Sequence, residues 1–178
     1  ALGFIPGWPI SNYLVTGQNK TSFARVTLDD PGNVVAKALR SLAGRINMEH
    51  ERHQARKVLF TGVDACGGTS EIALNTATAS RRLQDRVLLV ETNQNHPNLA
   101  NTIPTEGQRP GLTELLLGKA SLQEVLYHDE ERGLDLIFFG GQTNKQEIDT
   151  ALLLKQLDSL AMDYDLVMMS PKTDYLIA

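Results

Sequence analysis

The sequence predicts an α/β fold: a doubly wound, mainly parallel sheet flanked by helices. Short apolar segments alternate along the chain with segments in which apolar residues recur at helical spacing. The strand candidates are continuously apolar, a pattern typical of parallel strands buried on both faces. The chain has 178 residues, of which 42% are hydrophobic, enough for one domain with a buried sheet.

The chain divides into an N-terminal arm, residues 1–28, and an α/β domain, residues 29–178. The arm carries the turn-forming pairs Pro6-Gly7 and Trp8-Pro9, so we expect a linker there and not a core element. The chain does not begin with methionine, and we expect it to be part of a longer protein whose C-terminal portion follows residue 178.

The first helix is predicted to begin near Asp29 and Asp30, which are capping residues, with Pro31 in the first turn. The periodicity of the remaining chain assigns the other elements. Strands are expected at 57–63, 86–91, 134–139 and 165–169, with a further strand opening at 175–178, and helices at 69–83, 111–117, 122–127 and 145–162.

Composition excludes several classes of function. A net charge of −4 and a pI near 5.5 argue against a nucleic-acid-binding surface, since phosphate neutralisation needs a basic face. Cys66 is the one cysteine, which excludes an internal disulfide. His50 and His53 lie three residues apart with no third ligand nearby, so we predict no metal site. No apolar run reaches the length of a transmembrane helix.

Ligands of doubly wound sheets bind at the carboxyl ends of the strands, so the strand exits are the informative positions. The exit of the first strand carries Gly67 and Gly68, followed by Thr69 and Ser70 at a helix start. A phosphate-binding loop uses backbone N–H groups, a lysine for the outer phosphates and a hydroxyl for Mg²⁺. The glycines, the helix start and Ser70 are present, whereas Thr69 stands in the lysine's place and Asp64 would repel phosphate. The alternative is a tight turn without a ligand.

The order of these segments resembles the cytoplasmic domain of the bacterial tyrosine kinases (BY-kinases), P-loop relatives of MinD and ParA that accompany polysaccharide co-polymerases. The similarity extends over nearly the whole chain. Asn75 matches the asparagine of the family's Asn-Leu-Ala segment, and we use it to align the phosphate loop. The matching segments are Leu2 to Pro6, Val34 to Arg40, Val87 to Pro97, Pro110 to Leu116, Leu134 to Gly140, the helix carrying Leu152-Leu153, and Tyr164 to Val167.

That resemblance implies ATP, Mg²⁺ and autophosphorylation on tyrosine, but the chain departs from the family at its chemical positions. Thr69 replaces the phosphate-loop lysine and Cys66 a loop glycine. Glu91 and Asn93 replace the two aspartates of the second motif, and Ser170 replaces the metal-linked aspartate of the third. Phosphoryl transfer depends on positioning and charge neutralisation, so these losses favour inactivity.

We therefore predict a pseudokinase, not an enzyme, with no catalytic residues and no metal or other cofactor. The vestigial phosphate loop consists of Gly67, Gly68, Thr69 and Ser70, with Ser70 left as a possible Mg²⁺ hydroxyl. The alternative is a weak or atypical ATP-binding tyrosine kinase or ATPase of the same family. Among other cations, Lys57 lies at the wrong end of the sheet, whereas Lys172 lies at the right end and could contact an anion.

The resemblance also implies a cellular setting. The partners would be other subunits of a polysaccharide assembly and export complex on the cytoplasmic side of the bacterial inner membrane, with attachment through flanking segments. Val34, Lys37 and Arg40 stand where the family carries a Glu-x-x-Arg-x-x-Arg motif for subunit contacts, so a ring built on that acid–base pairing is in doubt. A MinD- or ParA-like positioning protein is a third, less favoured hypothesis.

Overall fold

The structure is a computed structural model that describes residues 14–16, 19–61, 68–93, 99–105, 107, 109–141 and 149–171. A turn of 3₁₀ helix covers Phe23–Arg25. The helices are α1 (Val26–Asp29), α2 (Val34–His53), α3 (Thr69–Ser80), α4 (Leu99–Thr102), α5 (Leu112–Leu116), α6 (Leu122–Val125) and α7 (Thr150–Leu160). The strands are β1 (Leu14–Thr16), β2 (Asn19–Thr21), β3 (Lys57–Leu59), β4 (Val87–Thr92), β5 (Leu126–Asp129), β6 (Leu134–Ile137) and β7 (Leu166–Pro171).

The main sheet has the strand order β3-β7-β4-β6-β5. The β3, β7, β4 and β6 strands are parallel, and β5 joins the β6 edge in antiparallel orientation. The predicted fold class, a mainly parallel sheet with flanking helices, is confirmed. The short β1 and β2 strands form a separate antiparallel pair.

The β4 strand lies at the centre of the fold, and all six of its residues are buried. Alternate side chains of β4 point to opposite faces of the sheet. Leu89 packs in one cluster with Leu74 and Ala77 of α3, and Val90 packs in another with Leu157 of α7. The continuous apolar run that predicted this strand therefore reflects helices on both faces.

The sequence prediction of a helix over 122–127 is wrong in its second half. The α6 helix ends at Val125, and Leu126 begins β5, which pairs with β6 from Leu126↔Ile137 to Asp129↔Leu134. Gly133, with φ of 66°, closes the intervening turn. Leu126 and Tyr127 are apolar at adjacent positions, so periodicity in so short a segment did not separate a helix from an edge strand.

Several element boundaries differ from those predicted. The α2 helix begins at Val34, after Pro31, because the Asn33 side chain accepts a hydrogen bond from the Val35 N–H at 2.9 Å. The α7 helix begins at Thr150, after Asp149 as its cap. The α3 helix ends at Ser80. The predicted strand at 175–178 lies outside the described residues.

Core packing begins before the predicted boundary at residue 29. Val26 in α1 is fully buried, and it packs against Val35, Ala36 and Leu39 of α2. The Thr27 N–H donates to the Asn75 side chain of α3 at 3.1 Å. The segment directly before α2 is therefore attached to the domain.

Candidate functional site

The parallel strands β3, β7 and β4 have their carboxyl ends on the same side of the sheet. The predicted site residues lie in these strand ends or in the helix start that follows β3. The β7 strand lies between β3 and β4, and Ser170 of β7 is in register with Glu91 of β4. The α3 helix, which follows β3 in the chain, begins at Thr69. The topology therefore brings the exits carrying Ser70, Glu91 and Ser170 to the same edge, as the sequence predicted.

The start of α3 directly follows a left-handed glycine. Gly68 has φ of 105°, a left-handed conformation that favours glycine, and it directly precedes the helix. Ser70 is buried and Thr69 is half-buried. The N–H groups of a first helical turn have no partner within the helix, and the helix dipole adds positive potential there. Gly67 and Cys66 lie outside the described residues.

Glu91 has a role that the sequence did not reveal. Its side chain is fully buried, and its carboxylate accepts hydrogen bonds from the Leu99 N–H at 2.8 Å and from the Phe139 N–H at 3.3 Å. A buried carboxylate needs such donors to offset its desolvation. Through these hydrogen bonds, Glu91 connects the end of β4 to the start of α4 and to the segment that follows β6.

Two buried hydroxyl groups at this edge have no hydrogen-bond partner among the described residues. They are Ser170 Oγ, at the end of β7, and Thr92 Oγ1, at the end of β4. The other position predicted to have lost an acid, Asn93, is half-buried and directly follows β4. The carboxyl ends of β4 and β7 therefore carry neutral polar groups together with the Glu91 carboxylate, which already accepts hydrogen bonds from the backbone.

The acidic side chains at this end of the sheet bear on whether a divalent cation could bind. Within the described ranges, no three His, Cys, Asp or Glu side chains come together as metal ligands. Both Glu91 carboxylate oxygens already accept backbone hydrogen bonds. Mg²⁺ is usually bound through one or two carboxylates together with substrate phosphates, whereas phosphate needs only donors such as those of a helix start.

The histidines and lysines singled out in the sequence do not join the site. His50 Nδ1 lies 3.3 Å from the Ala55 carbonyl oxygen, and His53 Nε2 lies 3.7 Å from Glu49. Lys57 begins β3, at the opposite end of the strand from the site, and forms an ion pair with Asp158. Lys172, like Asp64, lies outside the described residues.

The Pro-Gly-Leu segment before α5 is held against the exit of β6. The Leu112 N–H donates to the Phe138 carbonyl at 2.8 Å. A Cβ at Gly111 would overlap that same carbonyl and lie 2.5 Å from the Gly140 nitrogen. The sequence pointed to this segment only through resemblance, because the close approach of two backbones leaves no local signal except the glycines.

The start of α2 shows where the predicted subunit-contact positions lie. Val34 is 68% exposed and Lys37 is exposed. The Arg40 guanidinium bends back to donate to the Pro31 carbonyl through Nη2 at 2.5 Å. Arg40 therefore helps to hold the loop before its own helix.

Comparisons with known proteins relate the chain to tyrosine kinases, although no family model matches it. It is 27% identical over 161 residues to a tyrosine-protein kinase ptk of Acinetobacter johnsonii, covering 90% of this chain. It is 24% identical over 144 residues to the tyrosine-protein kinase etk of Escherichia coli K12, covering 80% of this chain. The chain spans about a fifth of these relatives, 21% and 20% of their lengths.

Solved structures share the fold. The kinase domain of the Escherichia coli tyrosine kinase ETK matches with a TM-score of 0.70 at 19% identity, over 94% of this chain and 66% of that one. The BceF tyrosine kinase domain matches with a TM-score of 0.68 at 23% identity, over 84% and 61%. A plasmid partition protein from Borrelia burgdorferi matches with a TM-score of 0.51 at 17% identity, over 65% and 55%.

These findings overturn the prediction that the chain is not an enzyme. The relatives that align with most of the chain are named as tyrosine-protein kinases, which points to kinase activity. The prediction counted lost charged side chains such as the phosphate-loop lysine. It gave too little weight to the backbone N–H groups at the start of α3, which do not depend on residue type.

Among the described residues, no helix is both long enough and apolar enough to cross a membrane.

The resemblance inferred from the order of the motifs is confirmed: the homologues of this chain are bacterial tyrosine kinases, and its structural neighbours include their kinase domains.

Proposed function

We propose that this chain is an atypical BY-kinase domain that binds ATP weakly and transfers its phosphoryl group slowly to tyrosine. The observation that supports the proposal is the start of α3, where left-handed Gly68 precedes the helix and Ser70 is buried in its first turn, in a chain whose relatives are named tyrosine kinases. Gly67, Gly68, Thr69 and Ser70 form the phosphate-binding segment in this proposal.

Phosphate binding rests on the backbone and one hydroxyl. The N–H groups of the first turn of α3 and the Ser70 hydroxyl donate to phosphate oxygens. Thr69 supplies no positive charge where a lysine would stand. Because charge-assisted hydrogen bonds are roughly twice as strong as neutral ones, affinity for ATP is lower than in a lysine-bearing site.

Magnesium contributes little to binding in this proposal. The Glu91 carboxylate is buried and engaged by two backbone N–H groups, and Ser170 brings no charge to the edge. Bound ATP supplies the phosphoryl group, and the chain's own residues hold the phosphates at the start of α3. Loss of one preorganised donor typically lowers a rate by about 10²–10³, so transfer is slow.

Nucleotide titration tests the proposal. Calorimetry with ATP is expected to show weak binding whose affinity changes little when Mg²⁺ is omitted. The S70A variant should bind more weakly, whereas T69K should bind more tightly because it restores a cation. The matched control is Ser41, an exposed serine of α2, and S41A should bind as the wild type does.

Two outcomes would contradict this proposal. One is the absence of ATP binding in both the wild type and T69K, which would support the earlier expectation that no cofactor binds. The other is unchanged binding in S70A, which would place the nucleotide elsewhere. Transfer of labelled γ-phosphate to a tyrosine-containing peptide measures the kinase step. If the wild type transfers no more phosphate than S70A does, the proposed kinase activity is contradicted.

The partners and location follow from the resemblance and are part of the same proposal. We place the domain on the cytoplasmic face of the inner membrane, attached through flanking segments, beside other subunits of a polysaccharide assembly and export complex. The acidic net charge of −4 supports the absence of nucleic acid among its partners. In-cell cross-linking of tagged protein should recover a polysaccharide co-polymerase subunit, and cross-links only to nucleic-acid-binding proteins would contradict this placement.

A further inference from the structure

A polar cavity lies away from the strand exits. It has a volume of about 260 Å³, and its walls come from α1, from the end of α3 and from the turn between β5 and β6. Residues Thr27, Arg81, Arg82, Glu131, Arg132 and Gly133 are among those that line it. Arg81 and Arg82 follow directly after α3, about 16–20 Å from its first residue at 1.5 Å per residue.

The acidic groups around this cavity each pair with an arginine, although Arg25 is shared between Glu131 and Asp29. Glu131 forms two hydrogen bonds with the Arg25 guanidinium, at 2.6 and 2.8 Å, which hold the pKa of Glu131 below its usual value. The buried Arg132 pairs with Asp129 through a 2.7 Å contact. The cavity lining itself carries three arginines, Arg81, Arg82 and Arg132, against one carboxylate, that of Glu131, so positive charge is in excess there.

The two remaining arginines differ in how they are held. Arg81 donates through Nε to the Gly133 carbonyl and through Nη1 to the Gln84 carbonyl, each at 2.7 Å. Both acceptors are neutral, so they orient Arg81 without cancelling its charge. Arg82 is exposed, and its guanidinium forms no hydrogen bond or ion pair with the described residues.

One residue of the cavity wall, Thr27, carries a buried hydroxyl. The Thr27 residue is 3% exposed, and its Oγ1 has no hydrogen-bond partner among the residues described. The neighbouring Thr78 hydroxyl is already used, since it donates to the Leu74 carbonyl at 2.8 Å. An unpaired hydroxyl in such a place costs free energy unless a ligand or water satisfies it.

We propose that this cavity binds a phosphate group, as inorganic phosphate or as a phosphomonoester, between the Arg81 and Arg82 guanidiniums. Guanidinium groups match phosphate geometry with parallel N–H donors, and Arg81 is preorganised by its two carbonyl contacts. This site is separate from the nucleotide site at the start of α3.

Titration with inorganic phosphate at constant ionic strength, followed by NMR of the backbone amides, tests the site. Shifts are expected at Thr27, Arg81, Arg82 and Gly133. The R82A variant should bind roughly tenfold more weakly through loss of a charged donor, and R82K should recover part of the affinity. The matched control R52A removes an exposed arginine at the end of α2 and should leave the affinity unchanged.

The outcomes separate this site from the proposed nucleotide site. S70A should leave phosphate binding at the cavity intact, because Ser70 lies at the other end of α3. The proposal is overturned if the wild type shows no shifts at the cavity, or if R82A and R52A weaken binding equally. Phenyl phosphate distinguishes the two ligands. If it binds as tightly as inorganic phosphate or more tightly, the natural ligand is a phosphomonoester; if it does not bind, the natural ligand is inorganic phosphate.

Discussion

Asn75 shows how one side chain attaches the N-terminal segment to the domain. Its Oδ1 accepts from the Thr27 N–H at 3.1 Å, and its Nδ2 donates to the Phe23 and Glu71 carbonyls, each at 2.9 Å. The residue is 1% exposed. The sequence identified Asn75 only as an alignment anchor, whereas the contacts show that it hydrogen-bonds to backbone groups of three elements: the 3₁₀ helix, α1 and α3.

The N75A variant is expected to lower the free energy of unfolding by about 2 kcal/mol, because it leaves buried backbone groups without partners. Urea denaturation measures the change. The matched control is Asn101, an exposed residue of α4, and N101A should change stability by less than about 0.5 kcal/mol. Equal effects of the two variants would show that the Asn75 contacts do not stabilise the fold.

At the scale of elements, the glycines at the exit of β6 decide how closely α5 can approach the sheet. Gly140 has φ of 102°, and a Cβ there would overlap the Glu114 carboxylate and lie 3.1 Å from the Gly111 Cα. Glu114 itself accepts from the Gly111 N–H at 2.8 Å. The junction of β6 and α5 is therefore built around a position that an L side chain cannot occupy without strain.

Two glycine-to-alanine variants should have opposite effects. G140A is expected to destabilise the fold by about 2 kcal/mol, through backbone strain and steric overlap. G44A lies within α2, where an added Cβ meets no described atom within 4 Å, and should stabilise the fold by about 0.5–1 kcal/mol. Thermal unfolding of both variants checks the pair, and loss of stability in G44A would contradict the α2 packing.

At the scale of the whole molecule, a polar contact links the far edge of the sheet to the segment between α7 and β7. Tyr164 is 4% exposed, and its hydroxyl donates to Asp135 of β6 at 2.7 Å. The other oxygen of Asp135 lies 2.7 Å from His128 Nδ1 on β5. Burial, reinforced by Asp135, raises the pKa of Tyr164 above its usual value, although Arg86 over the ring opposes the shift.

This shift predicts a loss of stability in alkaline solution. A raised pKa means that folding favours the protonated phenol, so the stabilisation is complete below the unfolded-state pKa of about 10 and is lost as pH rises above it. Urea unfolding between neutral pH and pH 11 should show this decline. The Y164F variant should flatten it, whereas Y127F, at a tyrosine whose hydroxyl donates to the neutral Pro104 carbonyl, should retain it.

The sequence by itself determined the layered α/β fold and the edge at which the site lies. Continuous apolar runs such as β4 require burial on both faces, and parallel strands place their exits together. It also identified the helix start at Ser70 as the phosphate-binding candidate, a prediction that the titration experiments test. Helical and strand periodicity arise from local geometry, so they can be recognised without knowledge of distant contacts.

Only the tertiary structure decided the roles that depend on partners distant in the chain. Glu91 is a substituted acid in the sequence, but in the fold its carboxylate receives N–H groups from Leu99 and Phe139. The β5 edge strand exists because β6 lies beside it, which overrode a short helical pattern. The arginine-lined cavity joins residues near 27, 81 and 132, and no local pattern relates them. Burial and hydrogen-bond pairing depend on the folded neighbours of a residue, which its sequence neighbours do not specify.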